Sequence, residues 1–481
     1  MPQVHFQPRA QRQIQWRQQQ WRQQQWHGQK WHRQQWRQRS ALFSLAAMAA
    51  FPLLLCYIVV RALGRRPLVG VAAKLSGTPS PDIAPGAVLI HGVSLGETAL
   101  MRPVVPHLLD LGATCLLTTT TETGWQGLKK NFPDLPRAFL PFDLPWAVER
   151  FLARTKPAAV VLLEAEFWPL WLCACFRRGI PVIVVNARVS PRSFKRFGHA
   201  RALIAPLMRG YAAATAQNGL YAARLRRLGC HVAVPCGSLK ADLVRLANAA
   251  QIDAEAERIG LGCGRPVLLL ASTSAGEEVT VLRAWLAAKP TDWHIIICPR
   301  HPERGAELAE LVRSLGMTPF CSSKGQRLPL DSLPTDSMPT DSVASVLIVD
   351  EIGHLGALYG CCARAQGIAV VGGSLGSGRG GQNMFEAAAA ACATMVGWDT
   401  RSQPDSMALL RTCGGVIEVQ PDTLGEQLLA LRNDPQQRAE LGRAGHTAWR
   451  AGQGATARHL AVIAPVLRAS LRRRKATLRP P

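Results

Sequence analysis

Acidic residues are scarce in this sequence, and its cysteines form no pattern typical of a disulfide framework or a metal site. The 13 cysteines are an odd number, Cys361 and Cys362 are adjacent, and no paired C-x-x-C spacing occurs. This disfavours structural disulfides and a zinc site, and a reducing compartment is the simplest interpretation. The His, Asp and Glu residues form no metal-ligand cluster, so we expect chemistry that needs neither a metal nor another cofactor.

The shortage of acid leaves the chain strongly basic. It has 56 Lys and Arg against 32 Asp and Glu, a net charge of +24, and residues 1–40 contain no acid. Such a balance suits nucleic acid, anionic lipid or phosphorylated substrates. In the same Gln/Arg-rich segment Trp recurs every five residues, a period that matches neither a helix stripe nor a strand face. We predict a disordered tail over residues 1–40, which either stacks on bases, settles among lipid headgroups or is a repeat expansion without a role.

The next segment, "ALFSLAAMAAFPLLLCYIVV", has no charged residue. At ~1.5 Å per residue it is just long enough for a bilayer core of ~30 Å. We predict an uncleaved membrane anchor over residues 41–61, spanning the bilayer or lying in its interface, because the apolar run is long and no small-residue cleavage site follows it. Both flanks are basic, so the positive-inside rule gives no clear orientation, and Pro52 interrupts the middle.

From about residue 86 onward, short apolar strand-like runs alternate with helical stretches. This alternation predicts buried parallel strands in doubly wound sheets. The pattern restarts after "CGSLKADL", so we predict two α/β domains, residues 86–240 and residues 264–465, with a cleft between the carboxyl edges of their strands. Residues 322–345, rich in Pro, Ser and Asp, are interpreted as a surface loop.

Glu97 stands where a strand gives way to a helix, in "LIHGVSLGETALMRPVV". Such a turn normally leaves backbone N–H groups free for an anion, so a carboxylate is unexpected there. One interpretation is ordinary capping of the helix by Ser94 and Glu97. The other is a general base that removes a proton from a nearby hydroxyl.

Two other segments of the first half carry charges at strand ends. "LLEAEFWP" ends a strand with Glu164 and Glu166, and "NARVSPRSFKRF" supplies Arg188 and Arg192, which are able to meet an anionic acceptor. Solvation of a strand end is the alternative for each.

The second half carries three segments that suit a phosphate. "CPRHPER" places Arg300, His301 and Arg304 just beyond a buried strand, in a turn that Pro299 and Pro302 keep rigid. "VVGGSLGSGRGGQNMFEAAAA" has glycines that let the backbone approach a ligand and a helix whose start faces its phosphate, and "ASTSAGEE" follows another strand. A mononucleotide or nucleotide sugar fits better than a dinucleotide, because no acidic residue ends a second strand ~20 positions on.

Taken together, the sequence resembles the 3-deoxy-D-manno-octulosonic acid (Kdo) transferases that decorate lipid A. Over roughly residues 86–465 it has nine of that family's motifs in the family's order: "SLGE", "TTTETG", "EAEFWP", "NARVSPRS", "GSLKAD", "ASTSAGEE", "PRHPER", "VDEIGHL" and "GGSLGSGRGGQNMFE".

The resemblance implies an α/β fold of the GT-B type, with two Rossmann-like domains facing a cleft and an N-terminal apolar anchor helix. It implies CMP-Kdo as donor, a lipid A precursor as acceptor, and the cytoplasmic face of the cell inner membrane as location. Glu97 takes the position of the family's catalytic base, in an inverting, metal-independent transfer. The donor-binding residues that we expect are Ser272, Thr273, Pro299, Arg300, His301, Gly372, Gly373, Asn383 and Glu386. The acceptor-binding residues that we expect are Ser94, Gly96, Glu164, Arg188, Arg192 and Lys240.

The departures from the family pattern cluster on the donor side. Ser274 and Ala275 stand where the family usually has His-Glu. Gln382 stands in place of a His, Met384 in place of a Pro, and Ser238 in place of an Asn. They either retune donor contacts, signal a different sugar or mark decay of activity. The alternative function is therefore a non-catalytic or divergent membrane-associated protein that binds a nucleotide sugar. The α/β body gives no support to a nucleic-acid partner, and none is expected.

Overall fold

Two parallel β-sheets organise the chain. In the computed structural model it divides into two compact units, Met1–Leu243 with Gly454–Pro481, and Val244–Gln453. The structure describes residues 29–63, 69–79, 83–164, 166–262, 264–287, 293–329 and 344–478. Each unit contains one seven-stranded sheet, and every strand pairing is parallel. The prediction of two doubly wound α/β domains is confirmed.

The first sheet has the strand order β3-β2-β1-β4-β5-β6-β7. Its strands are β1 (Val88–His91), β2 (Cys115–Thr119), β3 (Arg137–Phe139), β4 (Ala159–Leu163), β5 (Val182–Ala187), β6 (Ala213–Ala216) and β7 (Ala233–Pro235). Every residue of β1, β2, β4 and β5 is buried, because helices cover both faces of the sheet. Val88 of β1 aligns with Cys115 on one side and with Ala159 on the other.

The helices of the first unit connect these strands or precede them. They are α1 (Gln29–Leu63), α2 (Val71–Ser76), α3 (Leu95–Ala99), α4 (Met101–Asp110), α5 (Glu122–Asn131), α6 (Pro145–Thr155), α7 (Pro169–Arg177), α8 (Pro191–His199), α9 (Arg201–Arg209), α10 (Gly219–Arg227) and α11 (Lys240–Leu243). Polar residues cap several of them: the side chains of Thr121, Ser190 and Asn218 accept hydrogen bonds from first-turn N–H groups.

The second sheet has the strand order β10-β11-β9-β8-β12-β13-β14. Its strands are β8 (Val267–Thr273), β9 (His294–Pro299), β10 (Thr318–Cys321), β11 (Ser345–Ile348), β12 (Ile368–Val371), β13 (Ala393–Val396) and β14 (Ile417–Glu418). The helices of this unit are α12 (Ala249–Ile259), α13 (Glu277–Ala287), α14 (Gly305–Ser314), α15 (Leu355–Arg364), α16 (Phe385–Ala389), α17 (Pro404–Cys413), α18 (Leu424–Asn433) and α19 (Pro435–Gly452). Of the predicted surface loop 322–345, residues 330–343 lie outside the described ranges.

The last helix, α20 (Ala455–Leu478), returns to the first unit. It buries Val462, Ile463 and Leu467 in the same apolar core as Val88 and Ile90 of β1. The predicted second domain, residues 264–465, therefore differs from the observed unit at both ends. Helix α12 extends that unit toward its start, and residues 454–465 leave it because their apolar face completes the first domain.

The predicted disordered tail also needs correction. Residues 1–28 lie outside the described ranges, but residues 29–40 are helical and form the start of α1. The helix then continues through the predicted anchor as far as Leu63, with Pro52 inside it. Gln and Arg are good helix formers, and the apolar segment that follows extends the same helix. Trp36 is buried in the core of the first domain.

Candidate active site

Each sheet has a point at which the strand order reverses, and part of the predicted site residues lie at or next to these points. Such switch points, at the carboxyl ends of strands, are where open α/β sheets bind ligands. In the first sheet the switch falls between β1 and β4. Glu97 lies in the helix that begins after the loop following β1, and Glu164 directly follows β4. In the second it falls between β8 and β12, which end at Thr273 and just before Gly372.

Glu97 lies in the first turn of α3, and its carboxylate folds back onto the loop after β1. Glu97 Oε2 accepts a short hydrogen bond from the Val93 N–H. Ser94 Oγ donates to Glu97 Oε1 at 3.4 Å, while Ser94 itself occupies the N-cap position without accepting a helix N–H. Gly96 is exposed beside them. The carboxylate is thus oriented by its own loop and remains partly exposed, as a group that reacts with a bound ligand must be.

The threonines of "TTTETG" hold that loop in place. Thr119 Oγ1 and Thr121 Oγ1 each donate to the Val93 carbonyl oxygen at 2.8 Å. Thr121 Oγ1 also accepts from the Gly124 N–H at 3.1 Å, which caps α5. A Cβ on Gly124 would lie 2.2 Å from Thr119 Oγ1, so only glycine lets α5 begin this close to β2. The sequence of this motif alone indicates no role for it. The structure assigns it the positioning of Val93, whose N–H binds Glu97.

Three carboxylates share this edge of the first sheet. Burial, and then the negative charge of Glu164, raise the pKa of Glu97 above its ordinary value. Burial, followed by repulsion from Glu97 and Glu164, raises the pKa of Glu166 to about 7. Because like charges disfavour one another's ionised forms, the closeness of the three carboxylates adds to the effect of burial on the pKa values of Glu97 and Glu166. Glu164 adopts a left-handed backbone conformation, with φ of 60°.

The predicted basic acceptor residues follow the next strand, β5. Arg188 is partly buried just after β5, and Arg192 is exposed in the first turn of α8. The segment that leads to Lys240 is tied to the same strand end, because Leu239 N–H donates to Asn186 Oδ1 at 3.0 Å. The structure therefore brings Arg188 and the Lys240 segment to one sheet edge. It places Arg192 on a helix outside that edge.

The predicted donor residues gather at the ends of three adjacent strands of the second sheet. Ser272 and Thr273 end β8, Pro299 ends β9 with Arg300 directly after it, and Gly372 follows β12. Arg300 N–H donates to the Thr273 carbonyl at 3.0 Å. A Cβ on Gly372 would lie 2.5 Å from Thr273 Cα, so a glycine is required where β12 approaches β8.

Glu277, which is not among the predicted site residues, organises this edge. The side chain is 1% exposed. Glu277 Oε2 accepts from the N–H groups of Ser274 at 2.8 Å and Gly373 at 2.7 Å, and Oε1 accepts from Leu375 N–H at 2.8 Å. One carboxylate thereby joins the "ASTSAGEE" turn to the start of the glycine-rich loop. The position of Glu277 in the first turn of a helix, shortly after a strand end, could have pointed to this role. An acid at that position is also typical of ordinary helix capping, so it is not specific.

Asn383, Glu386 and Arg300 form a second group near this edge. Asn383 Nδ2 donates to Glu386 Oε1 at 2.9 Å. Burial raises the pKa of Glu386, and the hydrogen bond from Asn383 and the positive charge of Arg300 offset part of that rise. Arg300 is exposed, and so has freedom to meet a ligand. His301 is partly exposed, with its Nδ1 3.3 Å from Glu303 Oε1.

Arg304 serves the fold rather than a ligand. Arg304 Nη1 lies 2.6 Å from Oε1 of the fully buried Glu278, and Nη2 lies 2.7 Å from Glu307 Oε1. The sequence had grouped it with Arg300 and His301 at the phosphate end of the turn. Its charge is instead neutralised by two acids of neighbouring helices.

The positions that depart from the family pattern differ in burial: Ser274 and Met384 are buried, Gln382 and Ser238 are partly buried, and Ala275 is exposed. Thr273 Oγ1 and Ser274 Oγ are buried and have no hydrogen-bond partner within the described part of the chain. Met384 is fully buried, and Gln382 is partly buried, with its N–H donating to the Gly372 carbonyl at 3.0 Å. Ser274 and Met384 therefore lie beneath the donor edge, not on its surface.

No group of three or more His, Cys, Asp or Glu side chains that could hold a metal ion occurs within the described ranges.

The fold places the chain in a known structural class. The crystal structure of a glycosyltransferase from Rickettsia africae aligns with 80% of this chain and 99% of its own length, with a TM-score of 0.53 at 12% identity. Together with two parallel sheets of Rossmann-like order, this likeness identifies the fold as that of GT-B glycosyltransferases, as predicted.

The sequence comparisons define the family. A family model described as 3-deoxy-D-manno-octulosonic-acid transferase (kdotransferase) matches residues 64–243. A 3-deoxy-D-manno-octulosonic acid transferase of Bordetella pertussis is 34% identical over 79% of this chain and 87% of its own length. A 3-deoxy-D-manno-octulosonic acid transferase of Haemophilus influenzae is 30% identical over 80% of this chain and 88% of its own length. The chain belongs to the Kdo transferase family and is a glycosyltransferase, which confirms the resemblance drawn from its motifs.

Proposed function

We propose that this enzyme transfers Kdo from CMP-Kdo to a lipid A precursor, with inversion at the anomeric carbon and with Glu97 as the base. The observation that carries the proposal is the Glu97 carboxylate, oriented by Val93 and Ser94 at the switch point of the first sheet. The relatives' names supply the sugar that is transferred.

The chemistry follows from the environment of Glu97. As an acceptor hydroxyl oxygen forms its bond to the anomeric carbon, the carboxylate takes the hydroxyl proton and the bond from that carbon to the CMP phosphate breaks. The raised pKa of Glu97 makes its carboxylate a stronger base at neutral pH than an exposed glutamate. Since Val93 N–H and Ser94 Oγ bind both carboxylate oxygens, the reacting group is held before the substrate arrives.

The donor edge supports binding of the nucleotide phosphate. Arg300 follows β9, beside the end of β8, and its guanidinium is able to neutralise the charge that develops on departing CMP. The backbone of Gly372 and Gly373 permits close approach, and Ser272 and Thr273 add hydroxyls to the same edge. Asn383 and Glu386 offer an amide and a carboxyl for the ribose or the cytosine.

The basic residues and the apolar helix suit an amphiphilic acceptor. Arg188 and Lys240 supply positive charge near the acceptor edge, as the phosphates of a lipid A precursor require. Helix α1 contains a segment, Gln34–Val60, that is long and apolar enough to cross a membrane by length and composition. We place the enzyme at the cell inner membrane, with its catalytic domains on the cytoplasmic face, where CMP-Kdo is made available.

The test is a transfer assay with the purified full-length chain, CMP-Kdo generated in situ and a tetra-acylated lipid A precursor, with the lipid analysed by mass spectrometry. We expect a mass increase of one or more Kdo units. A UDP-sugar as donor and a dephosphorylated precursor as acceptor are the matched controls, and neither should be used efficiently. Donor binding without transfer to any precursor would contradict the proposed acceptor. It would favour the alternative of a protein that binds a nucleotide sugar without transferring it, which the altered donor loops motivate.

A further inference from the structure

Helix α1 is docked lengthwise on the first domain. Trp36 is 7% exposed in the core of that domain, with its ring centroid 4.8 Å from that of Phe176 in α7. Phe43, two turns later, packs against the same core. Further on, the Phe51 ring meets Trp146 of α6 edge to face, with centroids 5.3 Å apart. One face of the helix therefore follows the surface of the protein.

This docking leaves too little helix to cross a bilayer. Trp36 and Phe51 are 15 residues apart, which is ~22 Å of helix at ~1.5 Å per residue. The nine residues from Pro52 to Val60, the end of the candidate span, add only ~14 Å. A bilayer core is ~30 Å thick. The contact between Phe51 and Trp146 is decisive, because a helix docked at Trp36 alone would still have enough length left to span.

The opposite face of α1 is apolar and uncovered. Leu45 and Leu53 are 70% and 73% exposed. The other exposed apolar side chains of this face are Leu42, Met48, Leu55, Val59 and Val60. An apolar surface of this length calls for a partner that replaces water.

The charges around the helix identify that partner as an anionic lipid surface. Arg37 and Arg39 precede the apolar run, and in the sequence Arg61, Arg65 and Arg66 follow it. A spanning helix would place one of these groups on the far side of the membrane. A helix in the membrane plane leaves both groups at the same headgroup layer, where each basic residue is favoured.

A second basic helix lies on the same side of the first sheet. Helix α8 exposes Arg192, Lys195 and Arg196, while its Phe194 and Phe197 pack against the core that also contains Trp36. The exposed basic residues of α8 therefore add positive charge, available to anionic headgroups, on the same side of the sheet as α1.

We infer that α1 lies in the plane of the membrane interface, docked on the first domain by Trp36, Phe43 and Phe51, with its opposite face in the lipid. The inference rests on the proposed membrane location and specifies how the enzyme attaches. The first domain, which carries Glu97, then rests directly on the surface that holds a lipid acceptor.

The test measures depth along the helix in the full-length protein bound to vesicles of phosphatidylethanolamine and phosphatidylglycerol. Cys56, which is exposed on α1, is first replaced by Ser, and the Cys56→Ser protein treated with the spin-label reagent reports the background from other thiols. Spin labels are then placed singly at Leu42→Cys, Leu53→Cys and Val60→Cys. Collision with oxygen and with a water-soluble nickel complex gives the depth of each label.

We expect the three labels at one shallow depth, about 5–10 Å below the headgroups. A profile with Leu53→Cys deep and the two outer labels shallow would show a spanning helix and overturn the inference, while leaving the membrane location intact. Labels shielded from both reagents in a protein that has dimerised would show that a second copy covers the face, which also overturns it. No binding to vesicles would refute the membrane location itself. Kdo transfer measured in detergent is independent of each of these outcomes.

Discussion

Removing the carboxylate of Glu277 should loosen the donor edge of the second domain. Its two oxygens accept three hydrogen bonds from buried backbone N–H groups, those of Ser274, Gly373 and Leu375. In Glu277→Gln, the amide oxygen replaces Oε2 and keeps two of these bonds. The amide nitrogen then faces the N–H of Leu375, so that two donors meet.

The magnitude follows from this count. A hydrogen bond to a charged acceptor contributes about 1.5–3 kcal/mol, and an unsatisfied buried donor costs about 1–3 kcal/mol. We expect Glu277→Gln to lower the free energy of unfolding of the second domain by about 2–4 kcal/mol. Glu277→Ala leaves all three N–H donors without an acceptor, so it should lower the free energy of unfolding by about 4–6 kcal/mol.

The assay is a urea titration of the full-length chain, together with calorimetric binding of CMP-Kdo below the unfolding transition. The matched control is Glu257→Gln, an exposed residue of the same domain, which should change stability by less than about 0.5 kcal/mol. Because Glu277 positions Gly373 and Leu375, donor affinity should fall in folded Glu277→Gln and stay unchanged in the control. Wild-type stability and wild-type donor affinity in Glu277→Gln would refute the reasoning.

Three further predictions concern charge. Glu164→Gln removes a negative charge that raises the pKa of Glu97, so the acid limb of the activity profile should move to lower pH; an unmoved limb would contradict the coupling. Arg300→Ala should weaken CMP-Kdo binding about 10–100-fold through loss of a phosphate contact, measured by calorimetry, whereas exposed Arg313→Ala should not. Burial lowers the pKa of His91 to about 3 and that of His459 to about 4, below the unfolded value of about 6.5. Both are neutral when folded and gain a proton on unfolding, so each should cost the first domain about 2 kcal/mol between pH 7 and pH 5. The raised pKa values of Glu166 and Asp143 act in the opposite direction, so the measurement compares the pH dependence of the unfolding free energy in the wild type and in His459→Gln; an equal dependence in the two proteins would contradict this.

The sequence was sufficient for the central strands, the two-domain class and the family, but not for β13 or for the edge strands β3, β7, β10 and β14. Continuous apolar runs such as "AVVLL" read as buried parallel strands without ambiguity, and nine motifs in one order are far more specific than any single one. The edges at which Glu164, Arg188, Arg300 and Gly372 lie follow from the same pattern, since each of these residues comes directly after a strand.

The rest depended on contacts between residues that are distant in the chain. The apolar face of α20 has the same sequence pattern whichever domain covers it. The residues around Val462 therefore do not indicate that this helix packs into the core of the first domain. Arg304 reads as a phosphate ligand until its partner Glu278, 26 residues earlier, is placed beside it. Trp36 belongs to a repeat that fits no regular face, and it became a core residue because α7 supplies Phe176.

The central claim is that Glu97 removes the acceptor proton during Kdo transfer. The most direct measurement compares Glu97→Gln with Asp134→Asn, an exposed carboxylate of the same domain, for the rate of Kdo incorporation into a lipid A precursor and for CMP-Kdo affinity. The account predicts that Glu97→Gln loses about 10²–10⁴-fold in rate with unchanged donor affinity, while Asp134→Asn retains both. Wild-type turnover in Glu97→Gln would contradict it.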